Sequence, residues 1–312
     1  MNRDHLICGS HRSTHESLTH KVLHEALLFP KHIHEGRAQQ SLGFIASMSC
    51  LLGGLEVVYE HYRGSYGQRI MYAPVVTSAL ATVGCLLGIA NRGMARTVMP
   101  VSSAALLMNG IIGFGYHIRG VARKPGGWRI PVFNIIMGPP LFAPLLLGIG
   151  GYLGFIASFM RREDNPGSRS SGHWLWSKEI SSGHFQKHMA IATSIAALLS
   201  GAEALYSHYK NNFRYMLQQL SPLIIAPALC AVAVLALFRP KAARKAMAVL
   251  SVFALFDGMA GFFYHVRGVF RRPGGTKQLF YNIVYGPPVL APLLFAAAGF
   301  LGLLACIMKR EK

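Results

Sequence analysis

The chemistry this sequence offers lies first in four histidines. His117 and His265 sit in near-copies of one stretch, GFGYHIRGVARKPGGWRIPVFNIIMGPPLFAPLLL from Gly113 and GFFYHVRGVFRRPGGTKQLFYNIVYGPPVLAPLLF from Gly261. The other two, His61 and His208, end the upstream pair GGLEVVYEHY (53–62) and SGAEALYSHY (200–209). Apolar residues in lipid exchange freely for one another, so the polar, Gly and Pro positions that two copies share are the ones with a task. Two imidazoles at equal depth on two helices of a four-helix unit can ligate the iron of a planar haem b slotted between them. His61 with His117 would hold one haem and His208 with His265 another, and Arg119 and Arg267 would pair with the propionates.

Three other chemistries use neighbouring residues. Glu56, Glu203 and Asp257 with His61, His117, His208 and His265 could form a carboxylate and imidazole cluster for iron, copper or another transition metal. Against this, Asp257 is matched by Asn109, and the Glu-x-x-His spacing of dimetal bundles is absent. Glu56 and His61 are five residues apart, roughly 140° around a helix, so they point to different things unless the helix is distorted. The loops RGVARKPGGW and RGVFRRPGGT could cradle an anion through Arg123, Lys124, Arg271 and Arg272, with Asn134 and Asn282 capping the following helix or bonding the ligand. Half of the 14 histidines (His5, His11, His15, His20, His24, His32 and His34) lie before residue 41, where His20 and His24 share a face of an expected amphipathic surface helix.

These residues must be positioned by helices in a membrane. The 312-residue chain is 52% hydrophobic and 14% charged, and its apolar runs near 42–62, 71–91, 98–117, 136–159, 188–208, 219–238, 246–265 and 284–307 approach the length of a bilayer span. No apolar segment precedes the first run, so insertion is expected to be driven by the spans themselves. The fold class expected is an all-α integral membrane protein of eight helices. A His-rich tail (1–41) precedes one four-helix repeat (42–160), a polar linker (161–187) and a second repeat (188–312). An even number of spans per repeat inserts both copies the same way up, related by a pseudo-twofold along the membrane normal. All four duplicated histidines then gather at one face. Each Gly-Pro-Pro marks a re-entrant or late-starting helix, because proline has no N–H to donate and holds the preceding residue extended.

The larger share of the 31 Lys and Arg falls on the side of both termini, which places the termini in the cytoplasm, in a bacterial inner membrane. The basic duplicated loops fall on the outer side. A formal net charge of +19 is read as loops meeting anionic lipid, with no nucleic-acid partner. The five cysteines form no CxxC pair and read as small core residues. The eight-span architecture is similar to the quinone-linked membrane anchors of redox complexes, although it carries none of their motifs. The reading that follows is a redox subunit passing electrons between a partner protein at the outer face and quinone. The alternatives are a transporter or lipid- or anion-binding protein, and a membrane metalloenzyme.

Overall fold

The structure is a computed structural model that describes residues 27–35, 37–164 and 185–308. His5, His11, His15, His20 and His24, the amphipathic helix expected around His20, and most of the 161–187 connector lie outside these residues.

Every regular element among the described residues is helical. The first half contains α1 (Gln39–Arg63), α2 (Ala73–Ala90), the short α3 (Arg92–Arg96), α4 (Val98–Ala122), the short α5 (Pro131–Ile136) and α6 (Ala143–Ala157). The second half contains α7 (Phe185–Lys210), the short α8 (Leu217–Leu220), α9 (Ala226–Phe238), α10 (Pro240–Phe270), the short α11 (Leu279–Val284) and α12 (Ala291–Ile307). A π-turn, Ser221–Ile225, joins α8 to α9.

Among the described residues six stretches are long and apolar enough to cross a membrane: Gln39–Arg63, Arg69–Ala90, Arg92–Ala122, Gln186–Lys210, Leu217–Phe238 and Lys241–Phe270. Their outward faces carry large apolar side chains such as Leu80, Met108, Phe253, Phe256 and Phe263, as lipid contact requires. The apolar runs 136–159 and 284–307 behave differently from the full spans expected there. Each breaks at Gly-Pro-Pro, and the helices that follow have only 15 and 17 residues. Those lengths reach about 22 and 25 Å, less than a hydrocarbon core of about 30 Å.

In the first half, α1 and α4 each pack on both α2 and α6, so α1 and α4 stand diagonally across a four-helix ring. The second half repeats the pattern, with α7 and α10 diagonal and α9 and α12 between them. Small residues set the closest approaches. A Cβ on Gly110 would come within 2.6 Å of the Pro144 carbonyl, and one on Gly258 within 2.7 Å of the Pro292 carbonyl, so α4 with α6 and α10 with α12 pack backbone to backbone.

The start of the expected linker is part of the first ring rather than a free connector. Arg162, 5% exposed, donates to the Gly88 carbonyl at 3.0 Å and the Ile89 carbonyl at 2.8 Å, two of the orphan acceptors at the end of α2. Its guanidinium also holds Asp164 at 3.1 Å. Glu163 accepts from the Gln40 and Ser41 N–H groups, both at 2.8 Å, and so caps the start of α1. A run that reads as polar linker therefore ties the ends of three helices together.

Arg162→Ala should lower the stability of detergent-solubilised protein by about 1–3 kcal/mol, because it strands two buried carbonyls, and Arg162→Lys should recover only part of that. The Arg162 hydrogen bond holds the Asp164 carboxyl below its ordinary range. Asp164 is therefore a stabilising anion at neutral pH, and its contribution is lost as pH falls below about 4. Thermal unfolding followed against pH should show a shallower acid-side decline in Arg162→Ala than in the parent.

Candidate functional site

The site grows from the two Gly-Pro-Pro breaks. A helix begins with N–H groups that have no partner inside it, and in an apolar medium each must be satisfied. Ahead of α6, Pro139 and Pro140 carry no N–H and Pro144 removes another, which leaves Leu141, Phe142 and Ala143 to be satisfied. Leu141 N–H donates to the Tyr206 hydroxyl at 2.9 Å and Phe142 N–H to Glu203 Oε2 at 2.8 Å. Tyr206 in turn donates its hydroxyl proton to Glu203 Oε1. The partners come from α7, in the other half of the chain.

The second break is answered by α1 in the same way. Val289 N–H donates to the Tyr59 hydroxyl at 3.2 Å and Leu290 N–H to Glu56 Oε2 at 2.9 Å. Each half of the protein thus supplies the carboxylate and the phenol that cap the other half's broken helix. A carboxylate is well placed there, since the helix start carries the positive end of its dipole.

Two of the four histidines hold the same backbone from the other side, and the other two hold the turns ahead of α2 and α9. His117 Nδ1–H donates to the Pro140 carbonyl at 2.5 Å and His265 Nδ1–H to the Pro288 carbonyl at 2.6 Å. His61 Nδ1–H donates to the Met71 carbonyl and His208 Nδ1–H to the Gln218 carbonyl, both at 2.8 Å. A carbonyl can only accept, so the proton must sit on Nδ1 and the neutral ring keeps its lone pair on Nε2. Among the described residues no hydrogen bond reaches any of the four Nε2 atoms. His117 lies within electrostatic reach of His61, and His265 within reach of His208, so the pairs fall within each ring, on its diagonal helices.

The other candidates separate from this set. Asn134 Nδ2 donates to the Pro125 and Gly127 carbonyls at 3.0 and 2.8 Å, and Asn282 Nδ2 to the Pro273 and Gly275 carbonyls at 3.2 and 3.1 Å. Both amides fasten the Pro-Gly-Gly turn, whose glycines take φ of 79° and 46° in one copy and 81° and 48° in the other, values only glycine adopts cheaply. Arg119, Arg123, Arg267 and Arg271 are exposed, Lys124 and Arg272 half-buried, and none of the six forms an ion pair among the described residues. The Nε of Arg272 is buried without a partner, against the space beside Gly286.

Glu56, Glu203, Asp257 and the histidines do not meet in one cluster. No group of three or more His, Cys, Asp or Glu side chains converges on a metal position among the described residues. The reason is the helix geometry: Glu56 faces the neighbouring ring while His61, 140° round the helix, faces its own. The glutamate and tyrosine caps exchanged between the halves form a reciprocal lock, and sequence reasoning missed its tyrosines, although Tyr59 and Tyr206 are duplicated in register. It also missed the turn after α1, where Ser65 and Tyr66 take left-handed φ of 58° and 45° and Tyr66 sets its ring edge-on to His61 at 6.0 Å between centroids. Asn212 and Phe213 repeat that rare backbone after α7, and nothing in their residue types signals it.

The chain matches no protein family, no curated protein and no solved structure among those compared with it.

Glu203→Ala leaves the start of α6 uncapped away from water and should cost about 3 kcal/mol or more of thermal stability in detergent. Glu203→Gln keeps an acceptor oxygen and should lose clearly less. Equal losses in the two variants would mean that the carboxylate is not the cap.

Proposed function

We propose that the protein is a membrane electron-transfer subunit in which each four-helix ring holds one b-type haem. In this reading all eight apolar runs, the two broken at Gly-Pro-Pro included, cross a cytoplasmic membrane as two parallel-related units about a pseudo-twofold along the membrane normal, with both termini inside. The observation that carries it is the common state of the four imidazoles. Each is held through Nδ1–H by a backbone carbonyl and keeps an Nε2 lone pair, and each pair stands on diagonal helices of one ring. Fixing the far ring nitrogen to a carbonyl is how proteins orient a histidine that ligates a metal and raise its basicity. A bis-histidine haem supplies one-electron chemistry, cycling its iron between two oxidation states with no open position for substrate.

The remaining residues take supporting parts. Arg119 and Arg267 follow the ligating histidines by two residues and lie exposed at the same end, where propionates would need cations. The exposed Arg123 and Arg271 give the outer rim a basic character suited to an acidic partner protein. Electrons would pass between that partner and quinone in the lipid. The glutamates have no ligand role here, because Glu203 is engaged by the Phe142 N–H and the Tyr206 hydroxyl and Glu56 by the Leu290 N–H.

A second reading rests on Arg272. Its buried, unpartnered Nε beside Gly286 suits an anion such as a lipid phosphate, and a transporter or lipid-binding protein would use it.

Protein purified after haem-replete expression should be red, with a Soret band and two haems per chain. His117→Ala should remove one haem and His117→Ala with His265→Ala both. A colourless protein overturns the haem reading. Phosphate-dependent thermal stabilisation that Arg272→Gln abolishes would then favour the second.

A further inference from the structure

The two halves are spaced unequally at one point. From Glu56 to Met71 the counterpart lies 147 residues on (56 to 203, 71 to 218), whereas from Pro74 to Gly138 it lies 148 on (74 to 222, 138 to 286). The second half has therefore gained one residue between Gln218 and Pro222. The structure shows where it went. Ser221–Ile225 forms a π-turn, the form by which a helix absorbs one extra residue without breaking, whereas Ala73–Ala90 in the first half is plain α-helix.

The extra turn meets the other polar difference between the halves. Ser221 donates its hydroxyl proton to Asp257 Oδ2, and Asp257 stands where the first half has Asn109. Three residues before Ser221, on the same helical turn, the Gln218 carbonyl receives Nδ1–H of His208. Asp257 and His208 are thus anchored to one turn of chain, and Asp257 lies within electrostatic reach of His208. Around Asp257 the packed elements bring little other charge. The π-turn offers only the Ser221 hydroxyl, and α12 sets Pro292 and Ala296 against the neighbouring Gly258. On α7, Glu203 is turned away to cap α6.

We infer that the Ser221–Asp257 pair makes the two haem sites unequal, lowering the potential of the second so that electrons pass from it to the first. The inference rests on the haem reading above. A fixed anion near a haem stabilises the ferric state, which carries one more positive charge than the ferrous, and in a low-dielectric surrounding that preference is weakly screened. The Ser221 hydroxyl supplies the carboxylate with one donated hydrogen bond. The first half has the neutral Asn109 at the matching position and no such anion there. With haems bound, each transfer would move one electron from the second site, oxidising its iron from ferrous to ferric, to the first, reducing its iron from ferric to ferrous. An inserted residue and one acid would thus give a duplicated protein a direction.

Potentiometric titration of the haem bands tests this. The parent protein should show two midpoints. Asp257→Asn, which installs the first half's own residue, should raise the lower midpoint toward the other and leave the higher one in place. Asn109→Asp should lower the higher midpoint, which covers the case in which Asp257→Asn does not fold. Two haems that titrate together in the parent, or midpoints that ignore both substitutions, would overturn the inference while leaving the haem reading intact. Absence of a Soret band would overturn both.

Discussion

Everything in this architecture answers to a few N–H groups that cannot be left bare. α6 and α12 begin after a Gly-Pro-Pro break, about 10 Å inside the end of the helix that caps each, counting from Glu56 to the end of α1. At that depth water does not reach them, and an unsatisfied amide costs several kcal/mol. Proline thins the problem by removing three of the donors. Glu203 with Tyr206, and Glu56 with Tyr59, absorb the rest. Because each cap comes from the other half, neither half can complete its own fourth helix. The exchange explains why the chain is one continuous duplicated unit rather than two loosely joined bundles.

The same constraint places the histidines. The Pro140 and Pro288 carbonyls belong to the broken segments that the glutamates hold, and His117 and His265 bind those carbonyls from their own half. Three consecutive residues at each break are thereby held from two sides, two N–H groups by the neighbouring half and one carbonyl by the home half. Such a segment has little freedom, so the imidazoles that touch it are oriented as well as placed. A metal ligand needs that pre-organisation, since a ring free to rotate gives up binding energy to be ordered. Where the halves differ, at Ser221 and Asp257, the change falls on the turn that orients His208 and leaves the lock untouched.

Much of the site was legible in the sequence for a plain reason. Two copies in one chain show which polar residues persist, and helix periodicity gives each a depth and an angle. From these alone His61, His117, His208 and His265 fall at one end of their helices, and Glu56 must look elsewhere than His61. The Gly-Gly turns likewise follow from residues whose backbone demands are local, whereas Asn134 and Asn282, expected to cap the next helix or bond a ligand, fasten those turns instead. The helical parts of 136–159 and 284–307 are shorter than their apolar runs for a related reason, since hydropathy counts apolar residues and is blind to backbone donors removed by proline.

Other features were settled only by the tertiary structure. Glu56 finds its partner 234 residues away at Leu290, and a carboxylate on a helix carries no mark of which distant amide it will meet. The Arg162 to Asp164 run has the composition of a linker and becomes a double cap because the start of α1 and the end of α2 converge on it. The extra residue near Ser221 was present in the spacing, but a one-residue offset can become a longer loop, a kink or a π-turn. Which one forms depends on whether a neighbour can hold the turn, and here Asp257 does. Period, charge and duplication are local quantities that a sequence states outright. Which half closes the other is a matter of packing, and was decided only when the helices met.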